Sequence, residues 1–111
     1  MTEKQFRKLA LELTDAVEAS HGGHPDFRVA NKVFASLSPD GTLAAVKLTP
    51  EQQQSCLQMA PEVFFPCAGA WGARGYTHIR LKLVKSALAR NTLRLAWENT
   101  APSPGRRPLS R

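Results

Sequence analysis

The chain has 111 residues, 42% of them hydrophobic and 22% charged, with fifteen Lys and Arg against nine Asp and Glu, for a formal charge of +6 and a pI near 9.9. That length suits one domain that closes a core without staples, and the composition excludes a fibre or a largely disordered chain. The basic balance permits attraction to polyanions, but Arg106, Arg107 and Arg111 lie in the Pro-, Ser- and Gly-rich segment TAPSPGRRPLSR, so the body is only mildly basic.

The longest uncharged run, Val63 to Ala73, is interrupted by Pro66 and two glycines and falls far short of the roughly 20 apolar residues of a membrane span. MTEKQFRKLALELTD mixes acids and bases from its third residue and lacks the apolar stretch of a secretory signal, so a cytoplasmic protein is expected. Cys56 and Cys67 form no CxxC and have no histidine at finger spacing, which favours two reduced, packed thiols over a zinc or redox site.

Phe6, Leu9, Ala10, Leu13, Ala16 and Val17 recur at three- and four-residue steps, and Thr2 with Gln5 fits a capping box. The spacing predicts a helix from about Glu3 to about Ser20, ended by Gly22-Gly23 and Pro25. FRV, KVFASLS and TLAAVKL then read as short strands, separated by Ala30-Asn31 and by Pro39-Asp40-Gly41, which together predict an antiparallel meander. Thr49-Pro50-Glu51-Gln52 opens a second helix with a second capping box, and Pro61 closes it. Val63-Phe64-Phe65-Pro66 is a short apolar strand, and glycines 69, 72 and 75 turn the chain into an alternating strand from Tyr76 to Leu83. A last helix, roughly Ser86 to Glu98, places Ala87, Leu88, Leu95 and Ala96 in one sector beside Trp97.

The expected architecture is therefore α+β: two layers, a five-stranded antiparallel sheet with helices, in the order α-β-β-β-α-β-β-α. Residues 1–99 form the single domain and residues 100–111 a flexible basic tail. Alternation puts Thr77, Ile79, Leu81 and Leu83 on the apolar face, with Tyr76, His78, Arg80 and Lys82 opposite; Ala44, Val46 and Leu48 likewise oppose Lys47. KVFASLS does not decide its own phase, because Val33, Ala35 and Leu37 compete with Phe34.

HGGHPDFRVANKVFASL, residues 21–37, offers three chemistries, a metal site on His21, His24 and Asp26, an acid/base pair or a basic rim that holds a phosphate, against the plain alternative of a polar turn leading into a strand. A metal site on His21, His24 and Asp26 has unspecific spacing and lacks the i, i+4 helical pair and glutamate of HExxH, so no metal or other cofactor is expected and Asp26 is read as shaping the turn. Ser20, His21 and Asp26 are the right types for nucleophilic catalysis, yet no GxSxG elbow or paired carboxylates support them, so no catalytic residue is assigned. Gly69, Gly72 and Gly75 around Arg74 are not a phosphate loop, since a strand rather than a helix follows. Trp71 at that turn is expected to plug the core beneath it, the alternative being a stacking platform for a base.

HPDFRVANKVFASL, AAVKLTPEQQ, PCAGAWGARGYTHIRL and LRLAW together resemble the small bacterial MmcQ/YjbR family, over nearly the whole chain from the first helix to Trp97. The resemblance implies the same element order, an antiparallel sheet similar to that of type III secretion chaperones, and a DNA-binding role through a double-wing motif. It places Arg28, Lys32, Lys47, Trp71, Arg74, Arg80 and Lys82 at matching positions, and their chemistry suits contacts to phosphates and bases without sequence-specific readout. The expected function is non-sequence-specific nucleic-acid binding by a monomer, with DNA as partner and no membrane association. The alternative is a protein-interaction or chaperone-like module that binds no nucleic acid, and an enzyme or small-molecule binder with a pocket near Trp71 and His78 is a third reading.

Overall fold

The computed structural model describes residues 1–102, in the order α1 (Glu3–Leu11), β1 (Val17–His21), β2 (His24–Val29), β3 (Lys32–Leu37), β4 (Leu43–Lys47), α2 (Pro50–Met59), β5 (Phe64–Pro66), α3 (Gly69–Ala73), β6 (Tyr76–Arg80) and α4 (Ser86–Thr100). Both capping boxes form as the sequence predicts. Thr2 and Gln5 exchange backbone-to-side-chain hydrogen bonds at 2.8 and 3.1 Å, and Thr49 and Gln52 do the same at 2.9 and 3.1 Å. Each box satisfies donors that a helix start leaves open.

The fold is α+β with an antiparallel sheet, but the sheet has six strands, not five, in the order β1-β2-β3-β4-β6-β5. The added strand comes from the first helix, which stops at Leu11 rather than near Ser20. Asp15 takes a left-handed φ of +59°, and Val17–His21 pair with Arg28–His24 along β2. The Gly22-Gly23 pair, with φ of +57° and +84°, is the two-residue turn of that hairpin. Gly22-Gly23 thus joins two strands instead of ending a helix.

The phase of β3 is settled by a bulge. Phe27 faces Ala35 and Arg28 faces Val33, which leaves Phe34 as the extra residue. The bulge turns Val33 to one face of the sheet while Phe34, Ala35 and Leu37 are all buried on the other. The turn glycines at 69 to 75 hold a second unexpected element, the five-residue helix α3, and β6 ends at Arg80, so Leu83 leaves the alternation and lies exposed.

Helices α1, α2 and α4 pack on one face. Phe6 of α1 meets Phe27 edge-on at 6.1 Å, α4 crosses β3 and β4, and Gln53 of α2 donates to Thr77 Oγ1 at 3.2 Å. The buried side of α4 is Ala89, Thr92, Leu93, Ala96 and Thr100, rotated from the expected sector, and Ala87 is exposed. Thr92 and Thr100 sit in the core because their hydroxyls donate to the carbonyls of Leu88 and Ala96 one turn back. Helix α4 continues to Thr100 and Ala101 is buried; residues 103–111 of the expected tail lie outside the described residues. No described helix is long and apolar enough to cross a membrane.

Candidate functional site

The face of the sheet opposite α1, α2 and α4 carries no long helix among the described residues. Period-two alternation sends Asp26, Arg28, Ser36, Lys47, Phe65, Tyr76, His78 and Arg80 to it. Two groupings form there, at opposite sides of the sheet.

The first lies on β5, β6 and α3. The Arg80 guanidinium stacks 4.3 Å above the Phe65 ring and donates to the Glu62 carbonyl at 3.3 Å, while Phe65 and His78 rings meet at 4.9 Å. Lys47 and Tyr76 are register partners; the Tyr76 ring meets Trp71 edge-on at 5.0 Å, and the Arg74 guanidinium lies 5.5 Å from Trp71. Trp71 is 57% exposed. It does not plug the core; Gly72 takes the buried position, so close to the Cys67 carbonyl that a Cβ would stand 1.9 Å from its oxygen. With the helix backbone pressed against the chain at Gly72, the neighbouring indole is turned outward.

The second grouping lies on β1, β2 and β3. Asp26 does not shape the turn: it is 3% exposed and held by Arg28, whose Nε donates to Oδ1 at 2.9 Å and Nη2 to Oδ2 at 3.1 Å. The hydrogen bond and the attraction of that carboxylate raise the Arg28 pKa above its ordinary value, so the group is a cation throughout the accessible range. Lys32 stands exposed at the β2–β3 turn. Ser20 pairs with Pro25 and faces the other side of the sheet from His21 and Asp26, so the three do not form a catalytic constellation. No three His, Cys, Asp or Glu side chains among the described residues are grouped to hold a metal ion.

Of the seven residues singled out in the sequence, the structure thus brings Trp71 and Arg74 together, with Lys47 joined to them only through its register partner Tyr76 and Arg80 on the same strand as Tyr76. Lys82 is exposed two residues beyond the end of β6. Arg28 is separated from Arg80 by β3 and β4, a lateral distance of about 14 Å at the usual strand spacing. Phe65, Tyr76 and His78 are the members of this grouping outside those seven. Phe65 was hidden in a three-residue strand, although its adjacency to Phe64 means that one of the two must face outward.

A family model described as YjbR matches residues 11–99. The crystal structure of a Deinococcus radiodurans protein with a DUF419 domain superposes with a TM-score of 0.72 at 19% identity, covering 86% of this chain and 75% of that one. A Pseudomonas syringae protein solved as a structural-genomics target superposes at 0.70 and 15%, covering 90% of this chain and 99% of its own. No curated protein sequence matches the chain.

Proposed function

The chain belongs to the YjbR family, and we propose that it binds nucleic acid weakly and without sequence preference, through the side of its uncovered sheet face formed by β4, β5, β6 and α3. Arg74, Arg80, Lys47 and Lys82 contact phosphates, and Trp71 stacks on a base. The observation that carries this reading is the exposed indole of Trp71 with Arg74 beside it, on the same side of the sheet as the Arg80–Phe65 stack. A tryptophan left more than half in water is a cost that a stacking partner offsets, and every base offers a π-face. Arg28 and Lys32 stand apart from this surface, and Arg28 is already committed to Asp26.

Fluorescence anisotropy with mixed-sequence single-stranded and duplex oligonucleotides across a salt series tests the proposal. Three or four phosphate contacts on a single strand give a slope of log K against log salt of about −2 to −3. Trp71→Ala is expected to weaken single-strand binding by about 1–3 kcal/mol, a roughly 5- to 150-fold loss. Arg80→Glu combined with Lys82→Glu is expected to flatten the slope. Undetectable binding at low salt, or binding indifferent to these changes, removes the proposal.

A further inference from the structure

All three histidines of the chain fall on one trough of the uncovered face, although they come from β1, β2 and β6. An open recess of about 380 Å³ is lined by His21, His24, Asp26, Arg28, Val33 and Ser36. A second, of about 150 Å³, shares His24 and Ser36 with it and reaches His78. The first recess is within the size range of small-molecule sites, roughly 300–1,000 Å³, and larger than a lone inorganic ion needs.

Its chemistry is that of donors without acceptors. A guanidinium has five N–H groups, and Arg28 spends two on Asp26, which leaves three held in one orientation. The arginine cannot swing away without stranding a carboxylate that is 3% exposed. His21, His24 and Ser36 form no side-chain hydrogen bond among the described residues, and His21 and His24 are direct cross-strand partners at the mouth of the recess. Val33, 40% exposed opposite Arg28, adds an apolar wall. A cation is disfavoured there, because the Asp26 oxygens are taken by Arg28, whose charge sits in the same recess.

We propose that this trough binds a small molecule bearing a phosphate monoester. The phosphate oxygens accept from Arg28, His21 and His24, and the remainder of the molecule lies over Val33 and Ser36 towards His78. Donors arriving from two strands and several directions suit a tetrahedral oxyanion better than a planar carboxylate, and the free edge of a fixed guanidinium matches two phosphate oxygens at once. The site goes beyond the nucleic-acid reading: its phosphate end lies on the β1–β3 side of the sheet, and it uses none of Lys47, Trp71, Arg74, Arg80 or Lys82.

The test is heteronuclear NMR of the full chain titrated with inorganic phosphate, phenyl phosphate and acetate at fixed ionic strength. Saturable shifts of the Arg28 Nε–H and the His21 and His24 ring signals are expected, with phenyl phosphate tighter than inorganic phosphate and acetate about tenfold weaker than either. Arg28→Lys breaks the fork and is expected to lower affinity about tenfold. Because that variant endangers folding, His24→Ala at the exposed hairpin end serves beside it, with an expected loss of about three- to tenfold, the scale of the net contribution of one hydrogen bond. Shifts that are equal for acetate and phosphate, or phosphate binding unchanged in His24→Ala, overturn the proposal. Trp71→Ala is expected to retain phosphate binding, so loss of oligonucleotide binding in that variant leaves this site standing and failure of this site leaves the other.

Discussion

The two faces of one sheet are built by the same strands and obey different constraints. On the covered face Phe27, Val29, Phe34, Leu37, Val46 and Ile79 are all buried beneath three helices. On the other, residues one position away along the same strands are Arg28, Ser36, Lys47, His78 and Arg80, half-buried or exposed. Burial energy accounts for the first set and says nothing about the second. The uncovered face holds uncommitted hydrogen-bond donors, three histidines and an outward tryptophan, a composition that core packing does not account for.

The sharpest way to break this contrast is to substitute across one strand pair. Phe27→Ala removes a fully buried ring that packs on Phe6 and is expected to cost about 3–5 kcal/mol in urea unfolding. Val33→Ser, on the uncovered side of β3, is expected to stay within about 0.5 kcal/mol. A loss at Val33 comparable with that at Phe27 means that the face is covered in solution, as in a dimer, and that the contrast is false.

A smaller effect tests how the covered side is organised at its margin. Thr49 caps α2, and Asn99 of α4 ties that cap to the sheet by donating to Gln52 Oε1 at 2.7 Å and to the Lys47 carbonyl at 2.9 Å. Thr49→Ala is expected to lower stability by about 1 kcal/mol with an unchanged denaturant slope. Since Lys47 lies on the uncovered face, a parallel fall in oligonucleotide affinity would show that the cap also positions that residue.

Features set by local chemistry were legible in the sequence: both capping boxes, the Ala30-Asn31 and Asp40-Gly41 turns, and the opposed sets on β4 and β6. What was not legible depended on long-range pairing. Leu13, Ala16 and Val17 keep helical spacing, but β1 forms because Gly22-Gly23 folds Val17–His21 back on β2, and Val17 ends 56% exposed. Gly-Gly between two runs is a hairpin signal, masked by a first run with one β-branched residue. Threonines buried in α4 were invisible to a count of apolar residues, since their hydroxyls are satisfied inside the helix. At the site, the residue types in HGGHPDFR were visible, yet only the hairpin brings His21 and His24 face to face beside the Arg28–Asp26 fork.

The finest contrast is in pH response, between an open loop and the seam where β5 meets α3. Asp40 is exposed in the β3–β4 loop and accepts on Oδ1 from Ser38 Oγ at 2.7 Å, Thr42 N at 3.0 Å and Thr42 Oγ1 at 2.8 Å. The Ser38 bond, then those from Thr42, lower its pKa from 3.8 to about 2. A carboxylate depressed on folding stabilises the fold above its unfolded value, and that contribution is lost as pH falls through about 2. Cys67 behaves in the opposite sense. Burial raises its thiol from 9.0 to about 11, so its contribution is present below about 9 and lost as pH rises through about 11. The Asp40 carboxyl carbon should titrate in NMR near 2, and Cys67 should alkylate in proportion to thiolate formed near 11 rather than 9. Asp40→Asn should abolish the acid-side step and leave the Cys67 profile untouched, because the loop and the seam share no hydrogen-bonded residue. A Cys67 thiol that alkylates at its ordinary pH would instead place the seam in water, and extend the uncovered face beneath Trp71.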